Sequence, residues 1–502
     1  MAKALMIQGT GSHVGKSVLV AGLCRIFRQR GYRVAPFKSQ NMALNSFVTE
    51  EGGEMGRAQV VQAEAAGIKP SVHMNPVLIK PHSECGAQLI VQGKVVGNYS
   101  ALAYHRYKRQ AFKAVQESYA RLAGLYDLIV IEGAGSPAEV NLKKHDIVNM
   151  RIARMAGAPV LMVADIDRGG VFASLVGTME LLTPAERRRV KGFIINKFRG
   201  DPALLRPGLA FLRKRTGVRV VGVIPLFQDI AIPDEDSVSL ENNRARRAGG
   251  GIGIAVIRLP HISNFTDFDP LEREAGVTVR YVERVEELND CAVIIIPGSK
   301  NTIEDLHYLK TRGYGEALLR HKEQGAMIVG LCGGFQMLGR IIRDPYGVES
   351  TRGEISGLGL LAMETRFSRK KATFQVEAEE LHPQAGTGAP ERLRGYEIHM
   401  GRTKLYGERS LVLIRSRSGK PCACPDGAVS GDGRVWGTYI HGIFDNDGFR
   451  RRFIAGIRGN ACQQAAASPV FRYAAFKEDQ LDRLAELIRQ RLDMDFVAQL
   501  IS

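Results

Sequence analysis

The sequence predicts an α/β protein of two domains, and three observations predict it. Short apolar runs (ALMIQG, YRVAPF, DLIVIEGAG, APVLMVADID, VKGFIINKF and VRVVGVIPLF) alternate with helical patterns through the first half, as βαβ units around a mainly parallel sheet require. A second series (GIGIAVIRLP, VTVRYVE, CAVIIIPGS, AMIVGLCGG, GYEIHMG and RVWGTYIHGIF) continues the pattern as another α/β domain with some antiparallel elements. Between the two lies PDEDSVSLENNRARRAGGG, polar, charged and ending in glycines, which reads as a linker. At roughly 100–200 residues per domain, 502 residues accommodate both. The expected division is 1–234 for the first domain, 235–250 for the linker, 251–446 for the second domain and 447–502 for a helical tail. In that tail EDQLDRLAELIRQRL places Leu481, Leu484, Leu487, Ile488 and Leu492 on one helical face, a pattern made for packing.

Composition excludes several classes. With 45% hydrophobic and 24% charged residues the chain is an ordinary globular mixture. It contains no run of about 20 apolar residues, and MAKALMIQG enters a turn-rich segment without a cleavable signal pattern, so a cytoplasmic location is expected. The seven cysteines are scattered and form no CxxC pair, which favours neither disulfides nor zinc. A formal charge of +17 suits a polyanionic ligand. The basic residues lack the dense runs and interleaved aromatics of a nucleic-acid platform, so neither nucleic acid nor membrane is expected as a partner. The sequence is silent on oligomeric state.

The first strand runs into Gly9-Thr-Gly-Ser-His-Val-Gly-Lys-Ser17 and then a helical pattern, the context of a phosphate-binding loop. Gly9, Thr10, Gly11 and Gly15 let backbone N–H groups face phosphate oxygens, Lys16 reaches the β and γ phosphates, and the Ser17 hydroxyl can hold Mg²⁺. ATP and Mg²⁺ are the expected cofactors, with no prosthetic group. Glu132 closes the strand in DLIVIEGAG, where an acidic side chain faces the ligand crevice of a parallel sheet and can complete the metal site. Asp165 and Asp167 occupy a similar position on the next strand. Asn196 in FIINKF is a candidate for reading adenine, with a turn-capping role open beside it. The polar segment FKSQNMALNS offers Lys38, Gln40, Asn41 and Asn45 for an acidic, amide-bearing substrate, and Glu54 is a further possible metal ligand.

In the second domain MIVGLCGGFQ is an apolar strand that breaks into G-x-C-x-G and a helix, the geometry of a nucleophile elbow carrying sulfur. Gly330 and Gly334 permit the tight turn, and a helix amino terminus favours the thiolate of Cys332. His441, at the end of a late apolar strand in GTYIHGIF, is the candidate base. The glycine turn IPGSKNT supplies backbone N–H groups, so Gly298 and Gly333 are the oxyanion candidates.

The long phosphate loop, with five residues between Gly9 and Gly15, resembles that of dethiobiotin synthetase and its relatives. GLCGGFQMLG with GTYIHGIF resembles the class I glutamine amidotransferase domain, which implies that a Cys–His pair hydrolyses glutamine through a thioester and frees ammonia. Most of that class place Glu two residues after the His, and here the position is Ile443. Asp445 or Glu397 then orients His441, or the pair works without a carboxylate. The motifs in order, from the variant loop through FKSQNMALNS, EGAGSPAEVNL, ADIDRGGVFAS, PGSKNT and YEIHMGRT to GTYIHGIF, resemble the cobalamin-pathway glutamine-dependent amidotransferases. The resemblance implies ATP-dependent amidation of the b, d, e and g carboxylates of adenosylcobyrinic acid a,c-diamide through acyl phosphates. The partners it implies are small molecules only: a corrinoid, glutamine and ATP. A sister enzyme that makes the a,c-diamide, or another two-domain ATP-dependent amidotransferase, is the alternative.

Overall fold

The computed structural model describes residues 2–81, 86–227, 229–233, 251–381, 391–458 and 471–502. The chain forms two compact units, one of Met1–Ala43, Met55–Pro233 and Ala475–Ser502, the other of Leu44–Glu54 and Asp234–Ala474. The expected linker, 235–250, lies outside the described residues. Both expected domains are α/β, but their borders differ from the sequence division at two places. Leu44–Glu54 joins the second unit, and the tail divides, with 447–474 in the second unit and the rest in the first.

The first unit is built on a six-stranded sheet in the order Arg219–Pro225, Val190–Phe198, Val160–Asp165, Lys3–Gly9 (β1), Leu128–Glu132 and Val34–Phe37. Every pairing is parallel. The strands Leu128–Glu132 and Val160–Asp165 are apolar up to their closing acids because helices cover both faces. Between Phe37 and Leu128 the chain inserts a four-stranded sheet, Gln40–Met42, Val77–Pro81, Gly86–Val91 and Lys94–Ser100, followed by the 25-residue helix Ala101–Leu125. Sequence periodicity did not separate this insertion from the main sheet.

The tail helix Tyr473–Arg491 buries Leu481, Leu484, Ala485, Ile488 and, just beyond it, Leu492 in the same core as Leu19, Leu23 and Phe27 of the helix Lys16–Gln29 (α1). Leu487 is only half-buried and Ala485 takes its place on the inner face. The helices approach so closely that a Cβ on Gly22 would lie 2.2 Å from Ile488 Cδ1. Asp482 clamps the edge by accepting from Arg25 Nε and Nη2 at 2.7 and 2.9 Å.

The second unit also carries a six-stranded sheet, ordered Val277–Val282, Ile252–Ile257, Val293–Ile296, Met327–Leu331, Val435–Thr438 and Ala428–Val429, parallel except for the last pair. Beside it stands a largely antiparallel sheet whose longest strands are Met363–Glu380 and Arg392–Leu405. This second sheet holds the short strand Ile440–His441 through the pairing of Tyr396 with His441. Leu44–Glu54 docks here: Val48 packs with Tyr396 and Ile398, and Tyr396 Oη donates to the Ser46 carbonyl at 3.2 Å.

Candidate active sites

The phosphate loop leaves β1 where the sheet order reverses, since the strands flanking β1 are Leu128–Glu132 on one side and Val160–Asp165 on the other. Gly15 stands at φ +96° immediately before α1, and a Cβ there would collide with Asn196 Nδ2 at 2.1 Å. No side chain caps α1, and its amino terminus follows the phosphate loop directly, the arrangement that favours an anion there. Lys16 Nζ folds onto the Gly11 carbonyl at 2.7 Å. Glu132, buried at the strand end, accepts from Ser17 Oγ at 2.8 Å, from Lys38 Nζ at 2.9 Å and from Gln62 Nε2 at 2.6 Å. A hydroxyl and a carboxylate oxygen held 2.8 Å apart are hard donors of the kind Mg²⁺ takes beside nucleotide phosphates and water. Among the described residues no cluster of three or more His, Cys, Asp or Glu offers an all-protein metal cage.

At the thiol site the strand Met327–Leu331 breaks at Cys332, whose φ of +51° and ψ of −104° mark the strained elbow, and the helix Gly333–Met337 follows. The strain is accommodated by glycines: a Cβ on Gly334 would lie 1.9 Å from the Ile296 carbonyl oxygen, and one on Gly330 2.7 Å from the Gly334 oxygen. His441 is buried, and its Nδ1 meets Asp267 Oδ2 at 2.6 Å. Asp267 Oδ1 also accepts from the Gly442 N–H at 2.9 Å, which fixes the carboxylate from two sides. The remaining edge of the ring lies within hydrogen-bonding reach of the Cys332 side chain. Burial alone would lower the imidazole's proton affinity, but the charges of Asp267 and the Cys332 sulfur outweigh it and hold His441 raised to about 10. Gly298 adjoins the same ring, with its Cβ position 3.4 Å from His441 Cε1, and Gly333 lies against Ser299 N at 2.9 Å by the same measure. Of the two oxyanion candidates, Gly298 thus lies beside the His441 ring and Gly333 directly follows Cys332 at the start of the helix.

A model of the CobQ/CobB/MinD/ParA nucleotide binding domain matches residues 5–239, and one of the CobB/CobQ-like glutamine amidotransferase domain matches residues 253–449. The chain is 53% identical to the cobyric acid synthase of Syntrophobacter fumaroxidans over 100% of this chain and 99% of that protein. It belongs to the cobyric acid synthase family. A second relative, the cobyric acid synthase of Moorella thermoacetica, is 52% identical over 100% of this chain and 98% of its own.

Within this cobyric acid synthase frame, Gly9, Thr10, Gly11, Gly15, Lys16, Ser17, Lys38 and Glu132 assemble at one end of the first unit, and the other expected residues have the following partners. Asn196 donates to the Val14 carbonyl at 2.9 Å, so its amide braces the phosphate loop. Gln40 accepts from the Tyr104 hydroxyl, and Asn41 donates to Gln59 Oε1 at 3.1 Å. Asp165 and Asp167 pair with Lys197 and Arg199 at 2.7 and 2.9 Å. Asn45 and Glu54 belong to the second unit. Glu54, expected as a possible metal ligand, pairs with the partly buried Lys371 at 2.6 Å, its own side chain buried. Neither sequence candidate for orienting His441 does so. Glu397 is held by Arg417 at 2.8 and 3.0 Å, and Asp445 sits in the turn after His441, whose Nδ1 is taken by Asp267. Ile443, at the position of the missing Glu, is fully buried in the core. Sequence reasoning missed Asp267, although NFTDFDP follows the first strand of the second unit and an acid beyond a parallel strand's carboxyl end is the available signal.

Proposed function

We propose that this protein catalyses glutamine- and ATP-dependent amidation of the b, d, e and g carboxylates of adenosylcobyrinic acid a,c-diamide in the cytoplasm. The observation that carries the chemistry is the His441 ring held between Asp267 and the Cys332 side chain. Cys332 thiolate attacks the glutamine carboxamide carbon, and the Gly298 and Gly333 N–H groups receive the developing oxyanion. Imidazolium His441 gives its proton to the departing ammonia, leaving a γ-glutamyl thioester. The neutral ring then takes a proton from water as that water attacks, and glutamate and the thiol are released.

At the first unit a substrate carboxylate oxygen attacks the γ-phosphorus of ATP, ADP leaves, and ammonia displaces phosphate from the acyl phosphate to give the amide. Lys16, Lys38 and the uncapped N–H groups of α1 stabilise charge on the phosphoryl group. Ser17 and Glu132 would hold Mg²⁺, which neutralises phosphate charge when bound. The surplus of cations in the chain suits a substrate bearing several carboxylates.

Mass spectrometry of the corrinoid after incubation with the a,c-diamide, ATP, Mg²⁺ and glutamine tests the proposal. Successive amidations ending at the fourth support it. Conversion of cobyrinic acid that stops at the diamide assigns the sister activity, and no mass change contradicts both.

A further inference from the structure

A cavity of about 970 Å³ lies at the opposite end of the first unit's sheet from the nucleotide loop. Its wall includes Pro159 and Lys191, where the chain enters the strands Val160–Asp165 and Val190–Phe198, whereas the phosphate loop follows a strand's carboxyl end. Among the described residues seven basic and two acidic side chains line it. Both acids are engaged. Asp146 accepts from the Val148 and Asn149 N–H groups at 2.7 and 2.9 Å, and Glu186 pairs with Lys143 at 2.7 Å while closing a capping box on Thr183. Arg151 lays its guanidinium over the Phe112 ring at 3.7 Å. Lys144, Arg154, Arg188, Arg189 and Lys191 are left without an acidic partner among the described residues.

These five cations come from separate segments: the turn Lys143–His145, the helix Met150–Met155, the residues after the helix Pro184–Arg187, and the start of the strand Val190–Phe198. Like charges gathered in a concavity repel one another, and a bound anion converts that repulsion into attraction focused by the walls. Among the described residues no aromatic side chain lines the cavity, which removes the stacking surface a nucleic acid needs, and its volume falls in the range of small-molecule sites. We propose that this cavity binds a small polyanion carrying three or more phosphate or carboxylate groups, independently of the nucleotide at the phosphate loop.

Calorimetric titration of the full chain with tripolyphosphate and with citrate, each in saturating ADP and Mg²⁺ so that the nucleotide loop is filled, tests this. One equivalent of at least one anion binds at micromolar concentration. The triple substitution Arg154→Ser, Arg188→Ser, Arg189→Ser weakens it at least thirtyfold, with glutamine hydrolysis unchanged. Lys144→Gln with Lys191→Gln, placed on other segments, weakens it at least fivefold and serves if the triple variant fails to fold. Tripolyphosphate alone binding assigns the site to phosphates, and comparable or sole binding of citrate extends it to carboxylates. Absence of binding by both anions, affinity unchanged in the variants, or tighter binding of an oligonucleotide lost in the same variants overturns the proposal.

Discussion

Replacing Asp267 by Asn preserves the side chain's shape and exchanges one acceptor oxygen for a donor. At present its two oxygens serve His441 Nδ1–H at 2.6 Å and the Gly442 N–H at 2.9 Å. Asn offers one acceptor. If that oxygen stays on Gly442, the amide N–H faces Nδ1, and the neutral ring must carry its proton on the nitrogen facing Cys332, where it cannot accept the thiol's proton. Loss of the orienting carboxylate in a serine triad costs about 10⁴ in kcat. A thiol depends less on its base, so the expected loss is about 10² to 10³, or about 3–4 kcal/mol of transition-state stabilisation. The assay is glutamate release from glutamine by the full chain between about pH 6 and pH 10, with ammonium-driven amidation as control. Because Asp267 and Cys332 hold His441 raised to about 10, the charged ring's contribution is fully present below its unfolded value near 6.5 and is lost as pH rises through about 10. In the variant this alkaline limb moves to lower pH. A loss under tenfold with an unmoved limb, or an equal loss when ammonium replaces glutamine, would refute the orienting role.

Three further outcomes follow from the same geometry. Glu132→Gln removes the charge facing Ser17 and Lys38 and should lower ammonium-driven amidation at least 10²-fold while sparing glutamine hydrolysis, as read by ADP release and glutamate release. Asn196→Ala frees the Val14 carbonyl, a loss of about 1–3 kcal/mol in loop stability, so inhibition by ADP and GDP should weaken together; weakening confined to the adenine nucleotide would assign Asn196 to the base. Leu484→Ala empties a fully buried position between the tail helix and α1 and should cost about 2–5 kcal/mol by urea denaturation, and a cost under about 1 kcal/mol would contradict tail packing as a source of the first unit's stability.

What was legible in the sequence is what is contiguous in it. The phosphate loop and the sulfur elbow each join a strand, a glycine turn and a helix within about a dozen residues, and backbone geometry at Gly15, Gly330 and Gly334 leaves few alternatives. Asp267 escaped because its place beyond a strand's carboxyl end marks it as a candidate acid but does not report that it meets His441 across 174 residues. Glu54 in GGEMGRAQ reads from sequence as a further possible metal ligand. Only tertiary structure shows that Leu44–Glu54 crosses into the second unit and meets Lys371. The amphipathic face of the tail predicted packing but not its partner, since apolar surface is non-directional and any core of suitable shape accepts it.

In the proposed mechanism glutamine hydrolysis requires the Cys332 sulfur, whereas amide formation from ammonium does not. In Cys332→Ala, amidation of the a,c-diamide with ATP and Mg²⁺, followed by corrinoid mass, should vanish with glutamine and return to near the wild-type rate with ammonium. Retained glutamine-dependent amidation in that variant, or failure of ammonium to restore it in a protein that still binds ATP, would contradict the division of labour between the two sites.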